Sequence, residues 1–229
     1  DAIVSRNNVS YTSGDATLPD QGGGATYEAV AMNYLSWSDL AAYLDWAGLR
    51  PMSELEFERA SRGPYRAVSG EYAWGNTSIT TATSITNDGL TTEGPGNAAN
   101  CVSNNGASVQ GPMRVGSVAY GDSTRSAAGA GHYGNMDLSG NLMERTVTVG
   151  NSSGRAFEGR YHGNGALLAG GNSDAPTWPS ISTFTGIGFR GGRWSSGNTI
   201  ARLSDRIYAA LSAGGRHNSY GGRGVRSAP

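Results

Sequence analysis

The side chains best suited to chemistry lie in the C-terminal stretch 188–226, where bulky amphipathic residues are mixed with small polar ones. Five of them combine a large contact area with directed hydrogen-bond donors: Arg206, Tyr208, Arg216, His217 and Tyr220. Such side chains, surrounded by serine and asparagine, are typical of protein-binding surfaces. A structural alternative is that Arg206 and Arg216 pair with carboxylates such as Asp205 or Glu158, and exposed pairs of that kind contribute little stability.

Side chains for redox or transition-metal chemistry are sparse. Cys101 is the only cysteine, which excludes an intrachain disulfide and a cysteine-rich zinc site. The histidines His132, His162 and His217 are scattered along the chain without the spacing of a ligand set. We therefore expect that the protein requires no cofactor.

A structural calcium ion is the one metal that the sequence leaves open, because calcium binds hard oxygen donors carried on loops. Asn76, Asn87 and Asp88 lie in a long loop region, and a bound ion would hold these loops in place. Asn141 and Glu144 are weaker candidates. Glu144 lies between apolar residues, and for it we favour pairing with an arginine over binding a cation.

Composition sets further limits. A chain of 229 residues is long enough for one large domain or two small ones. Its 36 glycines, without a collagen repeat, indicate a globular fold rich in loops. All 17 basic side chains are arginine, and the formal net charge of -1 gives no electrostatic reason to bind nucleic acid or an anionic membrane. No apolar run is long enough to span a bilayer, so we expect no membrane insertion.

The hydrophobic pattern predicts two short amphipathic helices, over residues 36–47 and over residues 52–63. Ser36 or Ser38 is the expected N-cap of the first helix, and Gly48 is its expected end. The second helix has the capping-box pattern Ser53 to Glu56. Its predicted apolar contacts are Leu55, Phe57 and Ala60.

Short strands are predicted near residues 113–117, 142–147, 166–169 and 186–190. We assign Phe189, Trp194 and Ile207 to the core. Within the C-terminal stretch, the residues expected to serve as scaffold are Gly191, Gly192, Trp194, Gly197, Leu203, Leu211, Val225 and Arg226.

The chain divides into two parts. Residues 1–29 are polar and predict a linker or the remnant of an upstream region, and residues 30–229 predict one domain. The sequence begins at Asp1, so we expect that an N-terminal portion has been removed from it.

Five short motifs follow one another in the domain: SWSDLAAYLDWAGLRPMSELEFERASRG, YAWGN, YGNMDLSGNLMERT, FRGGRW and GRGVR. In this order they resemble the successive signatures of the formylglycine-generating enzyme family. The resemblance extends over residues 30–226. It implies an α+β fold of the C-type-lectin-like kind, with two helices, a small twisted antiparallel sheet and many long loops.

The enzymes of that family use two cysteines of the C-terminal segment, whose thiolates bind copper and activate oxygen. This chain has no cysteine between Phe189 and Arg226, and Cys101 lies far upstream. A related non-haem iron branch of the fold would need a set of histidines, which the three scattered ones do not supply. We therefore expect that the protein is not an enzyme.

The C-terminal segment also resembles the variable region of proteins that diversity-generating retroelements diversify, often on this branch of the lectin fold. In those systems template adenines are randomised, so that asparagine codons give rise to serine, tyrosine, aspartate, histidine and similar residues. The resemblance implies that the variable, ligand-binding positions are Ser195, Ser196, Asn198, Thr199, Ser204, Asp205, Arg206, Tyr208, Arg216, His217, Asn218, Ser219 and Tyr220.

The function that these patterns predict is non-enzymatic binding of varied macromolecular partners, expected to be proteins on a host or neighbouring cell. The domain would be displayed on a virion or a cell surface through a preceding region. One alternative is a lectin-like domain of fixed specificity; a calcium lectin would want a Glu-Pro-Asn type of clamp, for which Leu18-Pro19-Asp20 is a poor match. A less favoured alternative is a formylglycine-generating type of oxidase.

Overall fold

A computed structural model describes residues 10–12, 15–17, 29–104 and 108–227, the first two stretches by their backbone alone. In those two stretches β1 (Ser10–Thr12) pairs antiparallel with β2 (Asp15–Thr17). This hairpin lies within the part of the chain that was predicted to be a linker. The weak lectin clamp at residues 18–20 lies outside the described residues.

The first predicted helix is confirmed as α1 (Trp37–Trp46). Ser36 is its N-cap and forms a capping box: the Ser36 hydroxyl accepts from the Asp39 nitrogen at 3.0 Å, and the Asp39 carboxylate accepts from the Ser36 nitrogen at 2.8 Å. The chain leaves the helix at Gly48, whose φ of 65° is a conformation that favours glycine. The sequence alone predicts this helix because the signals for its start and its end lie in the helix and in the residues next to it.

The second predicted helix is confirmed as α2 (Glu54–Arg62), with the expected capping box between Ser53 and Glu56. The prediction that Leu55 packs inward is wrong, because Leu55 is 62% exposed. The buried face of α2 instead carries Glu54, Phe57 and Ser61. Because the buried face includes the charged Glu54, the apolar residues of the sequence indicated a buried face displaced by one position. A third helix, α3 (Ser152–Arg155), has only four residues.

The central sheet has three strands in the order β7–β6–β8, formed by Ile187–Arg190, Met143–Val147 and Tyr220–Gly222. The predictions at 142–147 and 186–190 are therefore confirmed. β6 and β7 pair antiparallel, whereas β6 and β8 pair parallel with Met143 opposite Tyr220. The expectation of a purely antiparallel sheet is thus wrong, because the C-terminal segment returns to β6 by a long crossover rather than by a hairpin.

Two further pairs are short: β3 (Arg50–Pro51) with β9 (Gly224–Val225), and β4 (Ile85–Thr86) with β5 (Gly94–Pro95). The strands predicted at 113–117 and 166–169 do not form. Each stretch contributes a single bridge, Val30 to Arg114 and Leu167 to Ser173. Glycines with positive φ at 116 and 171 turn the chain away from any longer pairing.

Three clusters of buried apolar side chains form the core. One of them joins α1 to the sheet through Val147 and Ile187. Phe189 and Trp194 are buried as predicted, but Ile207 and Leu211 are 67% and 42% exposed, so their assignment to the core and the scaffold is wrong. Ile207 lies in a tight turn in which its nitrogen donates to the Asp205 carboxylate at 3.1 Å. Among the described residues, no helix is long and apolar enough to cross a bilayer.

Candidate ligand-binding face

The C-terminal segment leaves β7 through Gly191 and Gly192, whose φ values of 86° and 72° are ones that other residues rarely adopt. The next large side chain, Trp194, is buried and anchors the segment. Its backbone nitrogen donates to the Asn141 carbonyl at 2.8 Å. The frame of the segment is thus fixed before the first predicted ligand-binding residue is reached.

In the stretch after β7, the hydroxyls of Ser195 and Ser196 accept hydrogen bonds from Arg193. The Ser195 hydroxyl accepts from Arg193 Nε at 3.1 Å and is exposed, whereas Ser196 is buried and its hydroxyl accepts from the Arg193 nitrogen at 3.3 Å. The Asn198 side chain accepts from the Ser103 hydroxyl at 3.0 Å. Neighbouring serines therefore have different roles: Ser195 faces solvent and Ser196 closes the turn.

Arg206 is held by a buried carboxylate of α2. Its Nη2 and Nε donate to Glu54 at 2.7 Å and 3.0 Å, and Arg190 Nη1 donates to the same carboxylate at 2.9 Å. Burial works to raise the pKa of Glu54, but hydrogen bonds led by that from Arg206 hold the pKa below its usual value. Arg206 does pair with a carboxylate, although neither with Asp205 nor with Glu158.

Arg216 is held by Asp39, the acidic residue of the capping box of α1. Its Nε and Nη2 donate to the two carboxylate oxygens at 2.8 Å and 2.6 Å. Burial works to raise the pKa of Asp39, yet the hydrogen bond from Arg216 and those from Ser36 keep it below its usual value. The Arg216 side chain is still 66% exposed, so it is oriented by Asp39 while most of its surface faces solvent.

The loop that carries Arg216 is held in place by hydrogen bonds from Arg145 of β6. The buried guanidinium donates to three carbonyl oxygens: Leu35 at 3.0 Å, Ala213 at 2.7 Å and Gly215 at 2.6 Å. Burial lowers the pKa of Arg145 to about 10, so the side chain is still charged at neutral pH. Sequence reasoning missed this residue, and its only signal was an arginine inside a short predicted strand.

The last part of the segment contains a serine and a histidine in contact. His217 Nδ1 lies 2.7 Å from the Ser219 hydroxyl, an arrangement that resembles a nucleophile and its base. Ser219, however, is 0% exposed, so its oxygen cannot reach a substrate. Burial lowers the pKa of His217, and the charge of Arg193 lowers it further, so the imidazole is neutral at pH 7. The imidazole is exposed and can contact a ligand.

Tyr220, the first residue of β8, is only half-buried, but its ring is used internally. The ring centroid lies 4.3 Å from that of Phe189 and 4.9 Å from that of His217. The Arg145 guanidinium lies 5.1 Å from the same ring. Tyr220 is therefore more a support for His217 than a free ligand-binding side chain.

The structure sorts the thirteen predicted residues into three groups. The exposed ones are Ser195, Thr199, Ser204, Arg206, Arg216 and His217. The half-buried ones are Asn198, Asp205, Tyr208, Asn218 and Tyr220. Ser196 and Ser219 are buried, and their prediction as ligand contacts is wrong because their hydroxyls close turns inside the frame.

Two parts of the segment lie side by side. Trp194 Nε1 donates to the Asn218 carbonyl at 3.4 Å, and the Arg193 guanidinium lies 3.5 Å from the Ser219 hydroxyl. Residues 206–209 instead run beside β7, where the Phe189 nitrogen donates to the Tyr208 carbonyl at 2.9 Å. A Cβ at Gly188 would lie 1.8 Å from the Ala209 carbonyl oxygen. We call the exposed surface of the segment from 193 to 220 the C-terminal face.

The weak calcium candidates have other partners. Glu144 accepts from Arg223 Nε at 2.9 Å, which confirms the expected pairing with an arginine. The Asn141 carboxamide both accepts from the Met113 nitrogen and donates to its carbonyl, at 2.8 Å and 3.2 Å. Asn76 Oδ1 accepts from the Trp74 ring at 3.1 Å. In the stretches that the structure describes, no three histidine, cysteine or acidic side chains are grouped as a metal site.

The only cysteine of the chain is unsuited to thiolate chemistry. Cys101 is 2% exposed, and its sulfur donates to the Ser139 carbonyl at 3.2 Å. Burial raises the pKa of the thiol to about 12. A copper ion bound by two thiolates therefore has no matching donors in this chain.

The family can now be stated. The chain matches the model of the sulfatase-modifying factor enzyme 1-like domain over residues 2–228, and it therefore belongs to this family. Few helices and small sheets, arranged as a mixed α and β domain, agree with that assignment. The match also includes residues 2–29, which were predicted to be a linker. No curated protein matches the chain.

Proposed function

We propose that this domain is a non-enzymatic binding protein with a C-type-lectin-like frame, whose C-terminal face contacts macromolecular partners, mainly proteins, and is diversified by a retroelement. The observation that carries the proposal is the separation of exposed and buried side chains within one short segment. Exposed polar residues such as Ser195, Thr199 and His217 alternate with buried anchors such as Trp194 and Leu203.

This separation is what a replaceable binding surface requires. Exchanging an exposed side chain leaves the core unchanged, and surface substitutions away from special features usually shift stability by less than about 0.5 kcal/mol. The anchors, by contrast, are fixed by packing and by backbone hydrogen bonds such as that between the Leu203 nitrogen and the Glu71 carbonyl at 2.8 Å. A rigid frame also lowers the entropic cost of binding, because the loop is ordered before the partner arrives.

The properties of Cys101 support a binding role over the oxidase alternative. Its thiol is neutral at physiological pH and closed off from solvent, so it is neither a copper ligand nor a nucleophile for an external substrate. The Ser219 and His217 pair offers no second route, because the hydroxyl is buried.

The experiment is to sequence the coding region for residues 188–226 across a natural population, together with the DNA beside the gene. We expect a near-copy of this region that differs at adenines, next to a reverse transcriptase gene. Codons for exposed positions such as Ser195, Thr199 and His217 should vary, and those for the buried Ser196 and Ser219 should not. An invariant segment without a near-copy would refute diversification and favour a binder of fixed specificity.

A further inference from the structure

We infer that a cavity beside the C-terminal face is a subsite of the binding surface that accepts a neutral aromatic side chain of a protein partner. The identity of the partner rests on the proposed function, whereas the chemistry of the cavity does not. The cavity has a volume of about 930 Å³ and lies between α1 and the β8–β9 strands. Its lining includes the side chains of Met32, Leu40, Tyr43 and Arg216.

The floor of the cavity is built from main chain and leucine. A Cβ at Gly222 would lie 2.5 Å from Leu40, and one at Gly224 would lie 2.4 Å from Leu44. The glycines therefore let the strands pack directly on α1.

The walls carry side chains that attract aromatic rings. Met32 and Tyr43 are 56% and 55% exposed, so each presents large apolar surface beside the cavity. A methionine thioether, a tyrosine ring and an arginine guanidinium each interact favourably with an aromatic ring, beyond the burial of apolar area. Aliphatic ligands gain only the burial.

The charges around the cavity select a neutral ring. Arg216 is paired with Asp39, and Arg223 is paired with Glu144, so each guanidinium on the wall already has a carboxylate. An anionic ligand would compete with those carboxylates, and a cationic ligand would meet two arginines. A neutral ring disturbs neither pair.

Arg216 makes the cavity continuous with the C-terminal face. The same side chain lines the cavity and stands among the exposed predicted ligand contacts, next to His217. A protein that binds the face is therefore positioned to insert a side chain into the cavity. Aromatic anchors inserted into pockets carry much of the affinity in protein interfaces.

The test uses the full chain and uncharged analogues of tyrosine, namely p-cresol and N-acetyl-tyrosinamide, with the Met32 methyl resonance followed by NMR. Both should bind saturably, and Tyr43→Ser should weaken both by about fivefold to tenfold, the effect of one lost aromatic contact. The matched control is Leu55→Ser, which removes a similarly exposed apolar side chain from α2 and should leave both affinities unchanged. Met32→Arg, at an exposed position, is a second blocking variant if Tyr43→Ser alters the fold.

Three results would overturn the inference. The first is the absence of saturable binding to the full chain. The second is tighter binding of anionic 4-hydroxyphenylacetate or cationic tyramine than of p-cresol, which contradicts selection for a neutral ring. The third is binding of p-cresol without N-acetyl-tyrosinamide, which indicates a free small molecule rather than a side chain. None of these results bears on the population sequencing, so failure of this inference and failure of the proposed function are distinguishable.

Discussion

The buried carboxylate of Glu54 should be essential to the fold of the C-terminal segment, and Glu54→Gln tests this. The Glu54 side chain is 2% exposed and accepts from Arg190 and Arg206 and from the Thr148 hydroxyl and the Val149 nitrogen. Glutamine has almost the same shape but no charge. The substitution therefore leaves the buried Arg190 with only one carboxylate, that of Glu58 at 2.8 Å.

The magnitude follows from the burial of each partner. Removing one member of a buried ion pair costs about 3–5 kcal/mol in the free energy of unfolding. Arg206 is 47% exposed, so water replaces part of what it loses and places the expected cost near the lower end, about 3 kcal/mol. For a chain of this size that corresponds to a Tm lower by roughly 6–12 °C.

Urea denaturation followed by tryptophan fluorescence measures this loss, because four of the five tryptophans are buried. The matched control is Glu158→Gln. Glu158 pairs with Arg160 at 2.6 Å, but both side chains are mostly exposed, so no measurable change is expected. Equal effects of the two substitutions, or a loss below about 1 kcal/mol for Glu54→Gln, would refute the idea that this carboxylate holds the segment.

Three other predictions concern the frame. In the folded protein, the pKa values of Glu54 and Asp39 lie below their ordinary values of 4.5 and 3.8. The stabilisation from these carboxylates is therefore complete above the ordinary values and is lost as the pH falls through the folded pKa. The urea concentration at the unfolding midpoint should decrease once the pH drops below about 5, and a midpoint that stays constant down to about pH 3 would be inconsistent with this. Cys101 should react with a thiol reagent in urea but not in the native protein, and rapid native labelling would contradict its burial. Gly188→Ala should lower the free energy of unfolding by about 1–3 kcal/mol or more, since the added methyl group would meet the Ala209 carbonyl oxygen. An unchanged urea midpoint would show that the loop can move away.

The parts of the fold that the sequence predicted correctly depend on local signals. Ser36 was one of the two expected N-caps of the first helix, and the predicted capping box of Ser53 and Glu56 marks the start of the second. The strands β6 and β7 were predicted from two short local runs, at 142–147 and 186–190. The order of the five motifs then indicated the family that the comparison shows.

The failures at Leu55 and at β8 depend on contacts between distant residues. Leu55 was placed inward because Glu54 does not look like an inner residue, and the arginines that make it one lie 136 and 152 positions away. The strand β8 contains two glycines and shows no apolar alternation, so nothing local predicts that it pairs parallel with β6.

The candidate site shows the same limit. Ser195 and Ser196 are chemically identical and adjacent, and only the fold decides that one is exposed and the other closes a turn. For Arg206 and Arg216, the structural alternative suggested carboxylates such as Asp205 or Glu158. The actual partners, Glu54 and Asp39, lie more than a hundred residues upstream. Burial within a polar, glycine-rich segment is set by tertiary packing, which composition does not encode.

The central claim is that the C-terminal segment carries replaceable side chains on a fixed frame, and two matched libraries test it directly. The first library randomises the exposed Ser195, Thr199, Ser204 and His217. The second randomises the same number of buried positions: Trp194, Ser196, Leu203 and Ser219. The measurement is the fraction of each displayed library that resists protease. Most members of the first library should stay folded and few of the second, whereas equal fractions would contradict the claim.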